Sequence, residues 1–441
     1  MTQTAKYYIK ELLNIALPII MGNLGFILIG AGDVFVAGRH STNTLAAISI
    51  ATAILNCIFT FGIGLISSVS PILSNYRGER KSAKKYFYPT IRFALFLAVF
   101  VTIIVLGILP VIDMLHFDPA ITPAIKEYML ITAFSSFAVY IHAALKEYLQ
   151  AFEIVFFPNL VTLLCVFLNV ILAWILVFGW GPIPSIGVVG LAIAAFVVRY
   201  VMAIALLIYC YVCMNFHNYE DKEYYKQMLH IGMPISVAIL IEFIAFNSIA
   251  VIMGRVSGVY AAAQNLVCTL TTISFMVPLA ISNAIAVKVG FANGANNFAD
   301  LKRYAQIGIF MCVGFMSCSA IVFTNCPHFL VGIFTKDPEL IKIGVPIMTV
   351  LAIFQVFDGL QVSLAGVFKG IKKTKIVLIA NFIGYWLLCI PIGYTLAFHY
   401  NMHLMGFWYG LIAAAVILCT ILVSMLLVYL KKMNKAQLVT E

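Results

Sequence analysis

Long apolar runs alternate along the chain with short polar segments, and each run is close to the length that crosses a bilayer. A transmembrane helix needs roughly 20 consecutive, mostly apolar residues. This criterion predicts twelve helical spans, and the runs longer than about 25 residues indicate tilted helices or extension into the headgroups. The predicted spans are 12–37, 44–74, 88–110, 122–145, 156–179, 187–213, 229–254, 260–289, 303–325, 340–368, 376–398 and 405–430.

The composition agrees with this pattern. Of the 441 residues, 63% are hydrophobic and only 10% are charged, with a mean hydropathy of +1.04. A soluble protein of this length needs more polar surface, so we predict an all-α polytopic membrane protein. Because little chain lies outside the spans, the functional site has to be built within the helix bundle.

The net charge of +10 would also fit a nucleic-acid-binding protein, but its placement argues against such a partner. The two most basic loops, 75–85 and 369–375, fall on the same side of the predicted membrane. This asymmetry follows the positive-inside rule and predicts cytoplasmic termini in a plasma (inner) membrane protein. The first apolar run is too long for the apolar region of a signal peptide, so it is predicted to remain as span 1.

The two halves of the chain share short motifs in register. When residue 13 is set over residue 229, LNIALPII (13–20) meets LHIGMPIS (229–236). In the same register GRHS (38–41) meets GRVS (254–257), and Gly78 meets Gly294. Six spans per copy is an even number, so both copies enter the membrane in the same direction, as in the parallel repeats of secondary transporters.

The repeat predicts two pseudo-symmetric six-helix lobes. The N-terminal lobe is predicted to cover residues 1–213 and the C-terminal lobe residues 229–441. The polar segment 214–228 between them is predicted to be a cytoplasmic linker.

Apart from Glu127 in the first turns of span 4, three carboxylates interrupt the apolar spans: Asp33 in span 1, Glu242 in span 7 and Asp358 in span 10. A charged side chain at the centre of a bilayer costs roughly 2.5–3.5 kcal/mol on insertion scales. Such groups usually face a cavity and mark an ion or proton pathway. The alternative is a structural role, with the acid bound to an amide or to Arg199.

Polar neighbours support a site around Asp358. Gln355 and Gln361 precede and follow it by three residues, on the same face of a helix. Their amides could coordinate a cation, orient the carboxylate or bind substrate, or they could only bond neighbouring helices. Arg199, near the middle of span 6, either pairs with an acid or meets an anionic group of a substrate.

Four further blocks complete the pattern, and together they identify a family. They are DVFVAGR (33–39), AAQNL (262–266), FMVPLAISNAIAVKVGFANGANN (275–297) and FQVFDGLQVSLAGVFKGIKKTK (354–375). In order and spacing the chain resembles the multidrug and toxic compound extrusion (MATE) transporters. The resemblance implies two six-helix lobes in a V-shaped fold and export by antiport with H⁺ or Na⁺.

The resemblance also implies roles for the acids. The family's acids that match Glu242 and Asp358 line the cation and substrate site of the C-terminal lobe, and the acid that matches Asp33 anchors the N-terminal lobe. All three together resemble the NorM-like bacterial branch. Asn169 matches an asparagine that accompanies Asp33 in the family, and Gln264 matches a recurring glutamine.

Two positions depart from the family's pattern. Ala173 stands where several relatives carry a second acid in span 5, and Ala195 stands where they carry a threonine in span 6. Asp33 is therefore predicted to have fewer oxygen partners. Because Na⁺ wants several oxygen ligands and a proton needs one, any Na⁺ site is predicted at Glu242 and Asp358, and Asp33 is predicted to carry a proton or to anchor the lobe.

Other function classes fit less well. The sequence has no HExxH, no paired aspartates for pyrophosphate-bound metal and no Walker A motif, so neither an enzyme nor an ATP-driven pump is predicted. The basic loop after span 2 lacks the aspartate that the major facilitator superfamily carries there. A flippase of lipid-linked precursors, or an exporter of one metabolite, stays open as an alternative.

We therefore predict a monomeric antiporter that exports amphipathic cationic or neutral small molecules. Its partners are these substrates and membrane lipids, and it needs no cofactor besides the coupling H⁺ or Na⁺.

Overall fold

The computed structural model describes residues 4–182, 184–214 and 219–440, with side chains described as far as residue 433. The helices of the first half are α1 (Ala5–His40), α2 (Thr42–Ile66), α3 (Val69–Gly78), α4 (Phe87–Met114), α5 (Thr122–Ala151), α6 (Phe156–Phe178) and α7 (Gly187–Cys213). Those of the second half are α8 (Lys222–Gly254), α9 (Gly258–Gly294), α10 (Phe298–Asn325), α11 (Pro327–Phe334), α12 (Pro338–Gly370), α13 (Thr374–Asn381), α14 (Ile390–Tyr394) and α15 (His403–Thr440).

Twelve stretches of these helices are long and apolar enough to cross a membrane, which confirms the predicted twelve-span, all-α architecture. Helices α2 and α3 form one of these stretches together, Thr42–Gly78. Thr374–His399 forms another. The cytoplasmic location of the termini stays a prediction.

The repeated GR-x-S motif starts the second span of each half. Ser41 accepts a hydrogen bond from the backbone N–H of Thr44 at 3.0 Å, just before α2. Ser257 accepts one from the N–H of Val259 at 3.3 Å, just before α9. Both serines are N-caps, which satisfy backbone donors that have no partner within the first helical turn.

The glycines that the repeat aligns meet in the structure. A Cβ on Gly78 would lie 2.1 Å from the carbonyl oxygen of Phe291, and one on Gly294 would lie 2.0 Å from that of Asn75. Both distances are shorter than any carbon–oxygen contact, so only glycine allows α3 and α9 to cross this closely. The repeated glycine therefore has a packing role in both copies.

The span Thr374–His399 is not a regular α-helix. Its segments Phe382–Cys389 and Thr395–His399 are π-helical, with α-helical turns between them. The π-helix bonds each N–H one residue further back, which rotates the following side chains, and it occurs frequently at functional sites.

The chain divides into two compact units. One contains Met1–Ala16, Ser74–Arg80 and Val237–Glu441, and the other contains Leu17–Leu73 and Lys81–Ser236. The first segment of α1 and that of α8 thus each belong to the unit formed mainly by the other half. The predicted lobes 1–213 and 229–441 stay a prediction, and residues 215–218 of the predicted linker 214–228 lie outside the described residues.

Polar contacts hold each of these segments in its unit. In the first unit Tyr8 donates a hydrogen bond to Asp300 at 2.6 Å, and buried Lys288 forms an ion pair with Glu11 at 2.5 Å. In the second, Glu220 precedes α8 and pairs with Arg92 at 2.5 Å.

Candidate functional site

Two of the predicted acids lie together in the unit that contains most of the second half. Asp358, on α12, is buried, with 4% of its surface exposed, and Glu242, on α8, is half-buried. The two carboxyl groups interact electrostatically with each other. The Tyr385 hydroxyl interacts with both carboxyl groups. We call these three residues the acid cluster.

Both predicted glutamines of α12 accompany the acid cluster. The Gln361 amide nitrogen donates to the Tyr385 hydroxyl at 3.1 Å, and the hydroxyl lies 3.3 Å from the Gln361 amide oxygen. Gln355 is fully buried, and neither its amide oxygen nor its nitrogen has a hydrogen-bond partner among the described residues. An unpaired amide in a buried site costs about 1–3 kcal/mol. The Gln355 amide therefore has both its donor and its acceptor capacity free.

Aromatic rings pack beside the acid cluster. Phe246 lies 6.0 Å from the Tyr385 ring, 6.2 Å from Phe354 and 6.4 Å from Trp408, measured between ring centroids. The Trp408 indole N–H donates to the amide oxygen of Gln264 at 3.1 Å. The predicted site residue Gln264 is therefore held by Trp408, one of these aromatic residues.

Asp33, the third predicted acid, lies in the other unit. It is on α1 and is buried, with 8% of its surface exposed. The Arg199 guanidinium of α7 attracts its carboxylate, and the Asn169 amide of α6 lies beside it. Arg199 also donates a hydrogen bond to the Ser135 hydroxyl of α5 at 2.6 Å. This acid therefore faces a fixed positive charge.

Oxygen ligands are few around Asp33. Neither side-chain atom of fully buried Asn169 makes a hydrogen bond of ordinary geometry to any described residue, and one Asp33 carboxylate oxygen is equally unpaired. Ala173 and Ala195 are buried and contribute no side-chain oxygen. The Tyr128 ring is buried, and its hydroxyl interacts with both Asp33 and Arg199.

The eight predicted site residues thus fall into two groups. One comprises Glu242, Asp358, Gln264, Gln355 and Gln361, and the other comprises Asp33, Asn169 and Arg199. Chemically, the acid cluster can share a proton or offer several oxygens to a small cation, whereas Arg199 disfavours a cation beside Asp33.

Sequence reasoning missed Tyr385, Tyr128 and Trp408. The chain has 21 tyrosines and 4 tryptophans, most of them in or near spans, so residue type alone does not single these out. Tyr385 lies on the first π-helical segment, which no hydropathy pattern reveals.

Comparisons with known proteins agree with this architecture. A sequence model of the MatE family matches residues 18–175 and 234–395. The chain is 27% identical over 433 residues to a "Probable multidrug resistance protein NorM" of Mesorhizobium japonicum, covering 94% of this chain and 93% of that one. It is 26% identical over 434 residues to a protein of the same name from Bacillus subtilis, covering 93% and 94%.

A solved structure has the same fold. An outward-facing multidrug resistance MATE family transporter of the MOP superfamily superposes with a TM-score of 0.87 at 19% identity, over 96% of each chain. Together with the twelve spans, these matches confirm the predicted multi-pass inner-membrane protein.

Proposed function

We propose that this chain, which belongs to the MatE family of membrane transporters, exports amphipathic cationic or neutral small molecules in exchange for H⁺ or Na⁺. Family membership makes it a transporter, as the sequence predicted. The coupling ion and the class of substrate are our inference. The relatives named as probable multidrug resistance proteins support export of more than one compound.

The acid cluster is the observation that carries the proposal. Two carboxyl groups lie together in an otherwise apolar helix bundle, beside a hydroxyl and an unpaired buried amide. Two close carboxylates repel each other unless a proton or a cation neutralises them. Their free energy therefore depends strongly on what is bound, and this is the property that a coupling site needs.

The expected cycle follows from that property. An H⁺ or Na⁺ that enters from outside neutralises Glu242 and Asp358, and a cationic substrate loses its electrostatic attraction and leaves outward. Release of the ion to the cytoplasm restores the negative charge, which attracts the next substrate. A ligand shifts a conformational equilibrium only through its preference for one state, and neutralising buried charges supplies such a preference.

Aromatic side chains suit the proposed substrates. Phe246, Phe354 and Trp408 offer ring faces and edges beside the acids. Rings bind flat apolar bodies, and they attract cations through the quadrupole of their faces.

Efflux from proteoliposomes tests the proposal. The purified full chain is reconstituted, a fluorescent lipophilic cation is loaded, and a Na⁺ gradient or a pH gradient is imposed in turn. Efflux driven by Na⁺ alone would support a multi-oxygen Na⁺ site at the acid cluster, and efflux driven by pH alone would make protonation the switch. Failure of both gradients would overturn the proposal and favour a flippase of lipid-linked precursors or an exporter of one metabolite.

A further inference from the structure

A second polar cluster lies in the unit that contains Asp33, and none of its members belongs to the predicted site. It consists of His142 and Lys146 on α5 and Phe26 on α1, and we call it the basic cluster. His142 and Lys146 are one helical turn apart, so their side chains are neighbours on one face of α5. The Lys146 ammonium lies 5.4 Å from the centroid of the Phe26 ring, and the same ring meets His142 edge-on at 5.9 Å.

The cluster has unused hydrogen-bonding capacity. His142 is buried, with 4% of its surface exposed, and its Nε2 atom has no hydrogen-bond partner among the described residues. No carboxylate in the described part of the chain forms an ion pair with Lys146, although Glu147 attracts it from the adjacent position. The Phe26 ring is 45% exposed. The basic cluster therefore brings together a cationic donor (Lys146), a neutral imidazole (His142) and an exposed apolar ring (Phe26).

The position of the cluster excludes a simple surface role for Lys146. The sequence placed Lys146 just after span 4, but α5 continues to Ala151 and includes it. Its ammonium contacts Phe26, which lies near the middle of predicted span 1 rather than at the level of the headgroups. On the same side of α5, Gln150 donates to Ser70 at 3.1 Å, so this face packs inside the unit. A lysine held at this depth without an ion pair is costly and indicates function.

The basic cluster is separate from Asp33 and in line with it. Phe26 precedes Asp33 by seven residues on α1, and His142 follows Ser135, the partner of Arg199, by seven residues on α5. Seven residues are two helical turns, or roughly 10 Å. The basic cluster therefore lies on the same faces of α1 and α5 as Asp33 and Ser135. The distance between the two sites is about the length of a small aromatic molecule.

We propose that the basic cluster is an anion-binding subsite, which takes the carboxylate of an amphipathic substrate while the aromatic body of that substrate packs on Phe26. A carboxylate accepts hydrogen bonds from the Lys146 ammonium and from Nε2–H of His142 in the tautomer that carries its proton there. The single positive charge matches a monoanion. This inference rests on the proposed export function and assigns the carboxylate of a zwitterionic substrate to residues outside the predicted site.

The test uses two ligands that differ only in the carboxylate. Nε-dansyl-lysine is a fluorescent aromatic zwitterion, and its methyl ester is the matching cation. Dissociation constants of both are measured by dansyl fluorescence on the purified full chain in lipid-free detergent, where no ion gradient and no lipid headgroup takes part. The measured quantity is the ratio of the dissociation constant of the ester to that of the free acid.

We expect Lys146→Met to lower this ratio about tenfold, because a hydrogen bond to a charged group is lost with its counter-charge. His142→Phe keeps the ring against Phe26 and removes Nε2, and we expect a fall of about threefold. The control is Lys126→Met, at a lysine of the same helix that is already ion-paired with Asp113, and it leaves the ratio unchanged. Lys146→Gln replaces Lys146→Met if the latter elutes as an aggregate.

Several results would overturn the subsite. One is an unchanged ratio in Lys146→Met; if both ligands then bind equally less tightly, the lysine is purely structural. Another is failure of the wild-type protein to bind the free acid. If the ratio falls as expected but wild-type proteoliposomes move neither ligand, the subsite stands and the export proposal fails.

Discussion

The two acid sites differ in what compensates their charge. Asp33 faces the guanidinium of Arg199, a charge that the protein supplies permanently. Glu242 and Asp358 face each other, with Tyr385 and amide groups around them. A fixed cation attracts a buried carboxylate permanently, whereas two adjacent acids repel each other until a proton or a cation binds.

This difference suggests two roles, a structural anchor at Asp33 and an ion-dependent switch at the acid cluster. We propose that Asp33 and Arg199, which attract each other electrostatically, have a mainly structural role. In the proposed cycle the acid cluster changes its net charge each time an ion binds or leaves. We propose that only this second arrangement couples the conformation of the protein to an ion gradient.

The largest effect is expected from removing either charge of the acid cluster. Glu242→Gln and Asp358→Asn should each lower ion-driven efflux to the rate of protein-free liposomes, because the remaining acid no longer needs a cation to neutralise a pair. Efflux from proteoliposomes measures this, and size-exclusion chromatography checks that the variants fold. Glu339→Gln, at an exposed acid of the same helix α12, is the matched control. Unimpaired ion-driven efflux in both variants would contradict the proposal that the acid cluster couples transport to the ion.

A smaller effect is expected from Tyr385→Phe. Loss of the hydroxyl removes the bond to Gln361 and one oxygen near Glu242, and we expect the half-saturating concentration of the driving ion to rise about tenfold. The maximal rate should change less, since both acids remain. Tyr394→Phe, at an exposed tyrosine of the same span, should leave both quantities unchanged. An equal effect of the two substitutions would remove Tyr385 from the site.

Asp33→Asn should lower the stability of the protein but leave its coupling to the ion gradient intact. The substitution removes the counter-charge of half-buried Arg199. We expect a cost of roughly 1–3 kcal/mol, so thermal unfolding should shift to lower temperature by several degrees. Efflux should keep its response to the ion gradient, at a reduced rate. Asp113→Asn removes an exposed ion pair with Lys126 and should cost less than about 1 kcal/mol. If Asp33→Asn abolished coupling while the thermal midpoint stayed the same, the contrast between anchor and switch would be wrong.

The smallest effect is expected at Asn169, and Asn159 provides the comparison on the same helix. Both are buried, but the Asn159 amide donates to the carbonyl oxygen of Val155 at 2.6 Å, whereas neither amide atom of Asn169 is bonded to a described residue. Asn169→Ala should therefore lower the free energy of unfolding less than Asn159→Ala, by about 1 kcal/mol. Thermal unfolding of the two variants in one detergent gives the difference, and the reverse order would imply that Asn169 holds Asp33 more firmly than its geometry indicates.

Sequence alone was enough for the architecture because the bilayer restricts the options so severely. Within hydrocarbon every backbone group has to be bonded inside the chain, so an apolar run of sufficient length becomes a helix. The cost of buried charge made Asp33, Glu242 and Asp358 visible for the same reason. The GR-x-S caps and the glycine pair showed the repeat, since both depend on local backbone geometry that a second copy has to reproduce.

Tertiary structure decided which polar groups meet. Tyr385 approaches Glu242 from a π-helical segment that is more than 100 residues away along the chain. Lys146, which the hydropathy pattern places outside span 4, lies within α5 because that helix continues to Ala151. Spacing along one helix places Gln355, Asp358 and Gln361 on a face but does not tell which helix faces them. The sequence by itself therefore determined the spans, the repeat and the intramembrane acids, because hydrophobic length and the cost of buried charge are local properties. Only the packing of distant helices made Asp33 the neighbour of a cation and Glu242 the neighbour of another acid.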